Sequence, residues 1–443
     1  MRGVQYDKNN RRQWTGLIAA AAIGLAVSGA QAEPGNQPKS IWEQETLTGD
    51  WGGARTALKE KNGLDFTLNY IGETFSVLSG GLNRGTSYEG RFDFSVDAEL
   101  EKLIGWKGAS THITVFQIHN GGRNALDNVG SISDPSNIDA LATTRLFTLW
   151  YQQNFLDDRI SLRLGQLAAD DEFITSPTAG GLINGTFGWA ALLAADMTNG
   201  GPAYPLATPG ARLALKPTED LTVLAAVFAG DPAGANCTGD PQACNRYGTT
   251  FSFSGGSLWM GELQYGVNQG KNAAGMPGVY KLGAWYATAD FPDQYNGLLS
   301  HRGDWGVYGI ADQMVWRGRE SSVNLFMRGG FSPSDRNLVS YYVDGGIGIK
   351  GLLPGRADDV LTFGAAYIKV SPDAAALDRV SFDAVRSAET VLELSYQAQI
   401  APWWILQPDL QYIIKPNGGQ NPDNPKLSYD HAFLVGLRST IKF

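Results

Sequence analysis

The run His431–Phe443, HAFLVGLRSTIKF, separates by parity into two unlike faces. Phe433, Val435, Leu437, Ser439, Ile441 and Phe443 fall on one side of an extended chain, and Leu434, Gly436, Arg438, Thr440 and Lys442 on the other, because successive strand side chains point to opposite faces. An apolar band thus opposes a mostly polar one. Since the run closes the sequence, its pairing partners must come from earlier residues. A sheet closed on itself would set the first strand beside it, leaving no edge unpaired in lipid.

The same split recurs upstream. In Arg91–Glu101, RFDFSVDAELE, the residues Phe92, Phe94, Val96, Ala98 and Leu100 share the apolar face, which turns Arg91, Asp93, Asp97 and Glu99 the other way. A soluble sandwich would put the charged face outside; a membrane barrel puts it in the lumen. Compartment, strand count and loop lengths decide between them.

Sixteen period-two runs begin near Leu64, Gly90, Ala109, Arg145, Ile160, Pro209, Leu221, Ser257, Tyr280, Trp305, Ser321, Leu338, Asp359, Glu389, Trp404 and His431. An even count is what a single-chain bacterial barrel requires. Connections are short after the second, fourth, sixth, tenth and fourteenth runs and long after the third, fifth, seventh, thirteenth and fifteenth, with 268–279 and 333–337 as exceptions. This alternation predicts an all-β fold, a transmembrane antiparallel β-barrel of about 16 strands spanning residues 64–443, with both termini periplasmic. Such a barrel is wide enough for an aqueous channel.

Compartment points the same way. Arg2, Lys8, Arg11 and Arg12 precede the apolar run Leu17–Val27 and then Ala30-Gln31-Ala32, the pattern of a secretory signal peptide covering residues 1–32. Acidic residues outnumber basic ones, 44 to 35, which argues against a nucleic-acid partner. Mean hydropathy is −0.19, and no segment after the leader nears the ~20 consecutive apolar residues of a spanning helix. The two cysteines, Cys237 and Cys244, lie in a loop-like stretch where an oxidising compartment favours a disulfide; free thiols or a weak metal site are the alternatives.

Two further segments interrupt the barrel pattern. Residues 33–63 form an amino-terminal periplasmic segment in which Leu47–Lys61 reads as a short helix, capped by Thr48 or Asp50 and ended by Gly63. The connection from Glu172 to Thr208 carries the apolar TFGWAALLAADM, which must bury itself and is expected to fold inward as a constriction loop.

Three stretches, LTGDWGGARTALKEKNGLDF (Leu47–Phe66), QLAADDEF (Gln166–Phe173) and LELSYQAQIAPWWILQPDLQYIIKPNGG (Leu392–Gly419), resemble the carbohydrate-selective porin family, OprB. The resemblance implies a sixteen-stranded outer-membrane porin that passes sugars such as glucose through a constriction lined by charged side chains. It also favours keeping Pro408 within a strand, at a bulge, although proline removes a ladder donor.

Parity supplies the candidate channel-lining residues Arg91, Asp93, Asp97, Glu99, Trp150, Arg163, Arg212, Glu262, Trp285, Arg328 and Glu393, and Asp171 and Glu172, in the QLAADDEF segment that leads into the connection, complete the set. Arg145 is left out because it shares parity with Phe147, Leu149 and Tyr151. Mixed arginine and carboxylate suit small neutral sugars, whose hydroxyls both donate and accept. A single-sign ring would instead select an ion. Trp150 and Trp285 could stack on a sugar ring, and Arg163 and Arg328 are the preferred contacts. The function expected is facilitated diffusion of monosaccharides, with a general diffusion porin as the alternative and an outer-membrane lipid-modifying hydrolase as a third reading. The four histidines sit in no recognisable nucleophile motif and no G-x-S-x-G is present, so no enzyme is expected. Asp170, Asp171 and Glu172 form an acidic cluster that could bind calcium, but a lone cluster of this kind is more often solvated or paired with arginine. No cofactor or metal is expected; the partners expected are sugar and outer-membrane lipid, for a monomer or homotrimer.

Overall fold

Each of sixteen strands pairs antiparallel with its sequence neighbours in the computed structural model, which describes residues 40–270 and 273–443. The strands are β1 (Leu64–Gly80), β2 (Gly85–Glu99), β3 (Ala109–Asn120), β4 (Thr143–Phe155), β5 (Ile160–Leu167), β6 (Thr208–Leu215), β7 (Leu221–Ala229) and β8 (Ser257–Val267). They continue with β9 (Gly278–Pro292), β10 (Ser300–Arg317), β11 (Ser322–Phe331), β12 (Val339–Lys350), β13 (Val360–Val370), β14 (Ala388–Ala401), β15 (Trp404–Ile414) and β16 (His431–Lys442). Every start lies within five residues of the sequence expectation. β1 closes on β16 in a register running from Asn69↔Lys442 to Gly80↔Ala432. The expected leader, residues 1–32, lies outside the described residues.

Ahead of β1, α1 (Ala54–Asn62) is shorter than the expected Leu47–Lys61 helix. Gly52 and Gly53 take positive φ and break it from a 3-10 turn at Trp51–Gly53. Asp50 still serves this end, its Oδ1 accepting from the N–H and hydroxyl of Thr56. Arg55 docks the segment at the barrel mouth, donating to the carbonyls of Phe443 (2.8 Å) and Phe66 (2.7 Å). We call this mouth the terminal end, and the opposite one the far end.

Three local readings change. Leu100 opens α2 (Leu100–Ile104) rather than extending the lipid face of β2. Between β3 and β4 the register shifts at Thr114/Val115, so that Thr114 pairs with Thr148 and Val115 with Leu146. The extra residue, Phe147, reverses parity, and Arg145 is buried inside the barrel rather than facing lipid. At Pro408 there is no bulge: pairing of β14 with β15 lapses there and resumes in the same register, and the shift lies at Gln399/Ala401.

The connections at the far end carry α3 (Ala125–Val129) between β3 and β4, α4 (Ala191–Asp196) between β5 and β6, α5 (Pro241–Cys244) between β7 and β8, and α6 (Pro372–Ser381) between β13 and β14. Cys237 and Cys244 are joined by a disulfide across the start of α5. The β5–β6 connection folds into the barrel and packs on the inner wall of β11–β14. Ile183, Phe187, Leu192 and Leu193 are fully buried there. Glycines on that wall make the room: a Cβ on Gly330 would meet Leu192, and one on Gly364 would meet Leu182 and Phe187. Gly364→Val should therefore destabilise the folded barrel by about 1–3 kcal/mol. It should also push the connection toward the opposite wall, lowering single-channel conductance; unchanged conductance and melting would contradict this packing.

Candidate functional site

Irregular backbone inside a barrel must find partners for its N–H and C=O groups, because no regular ladder pairs them. Turns within the connection pair some of these groups, and the wall strands supply partners for others. Glu262 on β8 accepts from Ile174 N (2.9 Å) and from the Tyr308 hydroxyl (2.7 Å). Asp312 on β10 accepts from Thr178 N (2.9 Å) and from the hydroxyls of Ser176 and Thr178. Glu393 on β14 accepts from Ile183 N and Asn184 N. Arg328 on β11 is paired with Asp344 and donates to the carbonyls of Ile174 (3.0 Å), Thr186 (2.9 Å) and Gly188 (3.1 Å). The β3–β4 connection is caught the same way, by Glu89 at Ala125 N and by Glu389 at Ile132 N and Ser133 N.

This divides the sequence-derived candidates. Glu262, Trp285, Arg328 and Glu393 face inward as expected but are buried, each no more than 3% exposed, so no solute reaches them. Trp285 packs over Gly306 and against Tyr308. Glu99 lies at the terminal mouth, 2.8 Å from Lys102. Arg91, Asp93, Asp97, Trp150, Arg163, Asp171, Glu172 and Arg212 come together on the uncovered wall formed by β2–β6 and the start of the β5–β6 connection.

Three cavities of about 640, 340 and 650 Å³ follow one another along that wall from the far end to the terminal end, and Asp171 lines all three. Its exposed carboxylate therefore stands at the junction. Arg163 lines the second and third cavities; Phe116 and Phe147 line the first and second. Around the junction the side chains hold one another fixed. Glu172 takes Arg163 Nη1 at 2.6 Å and Arg212 Nε at 2.9 Å. Gln152 Oε1 accepts from Arg163 Nε and Arg212 Nη2, both at 3.1 Å. Arg91 grips Asp93 and lies between Phe116 and Tyr204, at 4.4 and 4.6 Å from the ring centroids.

Trp150 is occupied on both sides. His112 on β3 stacks on it with centroids 4.9 Å apart, and the Arg163 guanidinium on β5 sits 3.9 Å over the ring. β3 and β5 flank β4, so neither face is open to a sugar; the indole instead orients the arginine. His112 is in turn held by Asp97 at 2.7 Å. Asp170, beside the junction, accepts from Tyr204 N–H; burial pushes its carboxyl up to about 6. Sequence reading missed Gln152, His112, Phe116, Phe147 and Tyr204. Parity on β3 would have found His112 and Phe116, whereas Phe147 depends on the bulge and Tyr204 on loop packing.

The model of the carbohydrate-selective porin, OprB family, matches residues 83–443. Porin B of Pseudomonas aeruginosa is 28% identical over 95% of this chain and 95% of its own length. The putative porin QuiX of Acinetobacter baylyi is 23% identical over 97% and 98%. Among solved structures, the high-pH structure of Pseudomonas putida OprB superposes with a TM-score of 0.80 at 24% identity, covering 91% of this chain and 100% of that one, a likeness of fold.

The anchoring role of Arg328 has a measurable consequence. Removing one member of a buried ion pair costs about 3–5 kcal/mol. Arg328→Ala should lower the melting temperature of the folded barrel and release the inward connection, seen as larger and noisier single-channel currents. A variant with parental melting and steady parental current would show that the connection is held by something else.

Proposed function

The chain belongs to the carbohydrate-selective porin, OprB family, and from that premise we propose that neutral monosaccharides cross the outer membrane along the β2–β6 wall, read by Arg163, Asp171, Glu172, Arg212 and Gln152. Sugar passage through a bacterial outer-membrane barrel is the family's function; the residue assignment, the monosaccharide preference and the orientation, with termini periplasmic and the far end outside, are our reading. The observation that carries it is the convergence of fixed donors and acceptors of both signs at the one junction shared by three cavities. Two guanidinium groups share one carboxylate, and among the described residues no side chain hydrogen-bonds to Asp171 beside them. A hydroxyl can accept from the arginine fork and donate to Asp171 in one pose, replacing its water.

Transport bounds how tight such contacts should be. A solute must enter and leave, so binding near millimolar, about −4 kcal/mol, is the useful range. Because the arginines are held by Glu172, Gln152 and Trp150 before solute arrives, little ordering is needed on binding.

Liposome swelling tests the reading. Neutral monosaccharides should pass faster than charged solutes of equal size, and Arg163→Ala should weaken sugar-dependent block of ion current several-fold, by about 1 kcal/mol, while bare conductance holds or rises. Equal rates at equal size would make the chain a general diffusion porin. Undiminished sugar block in the variant would remove Arg163 from the reading.

A further inference from the structure

On the outside of the barrel, the segment following α5 turns back over the wall. Tyr247 O accepts from Leu146 N at 3.0 Å and Gly248 O accepts from Gln166 Nε2 at 2.9 Å. The Leu146 N–H points along the sheet plane at the edge of β4, beyond its last pair with β5, whereas the Gln166 side chain has outward parity, opposite to Arg163, so the segment runs along that edge and is caught from the outer face of β5. The strands beneath it are the shortest of the barrel, β5, β6 and β7 having 8, 8 and 9 residues. Between segment and wall runs a groove of about 760 Å³, floored by Leu149, Leu164, Ala211 and Val227 and roofed by Phe251 and Phe253, the latter 81% exposed.

Irregular backbone does not survive in hydrocarbon, so the segment must ride at headgroup level. The groove then opens just below it, continuous with the apolar belt that faces lipid elsewhere on the barrel. We propose that this groove seats one acyl chain of an outer-leaflet lipid A molecule, with Phe251 and Phe253 closing over it. The choice of leaflet rests on the orientation proposed above, since the groove lies at the far end. A concave seat under an aromatic roof suits a slender methylene chain. No complementary apolar ridge is called for on a second copy.

The test uses the full-length protein purified in detergent, incubated with lipid A and read by native mass spectrometry. One lipid A per chain should survive detergent removal. Ala211→Trp, which fills the groove, and Phe253→Ser, which opens its roof, should each cut retention about tenfold. Heat-shifted electrophoretic migration should report an intact barrel in both variants, and sugar permeation should be unchanged because both residues lie outside the channel. Parental retention in both variants, no retention by the parent, equal retention of phosphatidylethanolamine, or a parental dimer that Ala211→Trp dissociates would overturn the proposal. Loss of sugar permeation in the parent would instead count against the transport reading and leave the lipid result standing.

Discussion

The structure depends on one constraint: backbone that leaves the β-ladder and enters the barrel carries N–H and C=O groups that must be paired there. Turns within the connections pair many of the N–H groups with their own carbonyls, strand carboxylates take several that remain, and Arg328 serves three carbonyls. An unpaired buried donor costs about 1–3 kcal/mol, so a connection this irregular could not lie inside without such partners. Charge in this interior is therefore first a device for holding chain, and only where the connections leave wall uncovered is it available to a solute.

That allocation explains how a wide barrel becomes a narrow, one-sided channel. The β5–β6 connection covers β11–β14 with Ile183, Phe187, Leu192 and Leu193, and the residual passage follows the opposite wall. There the charged groups are braced against each other: Arg163 by Trp150 and Glu172, Arg212 by Glu172 and Ser161, Arg91 by Asp93 and two rings. Bracing keeps the donors in place and prevents a single-sign field, which together suit a neutral polyol better than an ion.

The barrel was legible because alternation is a local property; even strands as short as β5 and β6 declare themselves through Leu162, Leu164 and Arg163, or Leu213 and Arg212. The site was half legible for a physical reason. Parity states which side of the wall a residue faces but not what lies over it, so Arg328 and Arg163 read alike although one is sealed under the connection and the other borders two cavities. A signal was present in the glycines of β11–β13, Gly330, Gly348 and Gly364, which mark a wall that something approaches closely. Arg145 was misread because one extra residue at Phe147 inverts the pattern, and a bulge leaves no trace in alternation beyond the inversion itself.

The central claim, that solute passes along one wall while the other is sealed by the inward connection, is most directly tested by thiol accessibility. The two native cysteines are joined in a disulfide, so single introduced thiols can be read cleanly. Thr222→Cys, on the cavity at the terminal end, should react within seconds with a small cationic methanethiosulfonate and reduce the open-channel current. Ala366→Cys, inward on β13 but 1% exposed beneath the connection, should stay unmodified while the barrel remains folded. Comparable labelling of both positions would mean that the connection does not seal that wall, and the one-sided channel would have to be abandoned.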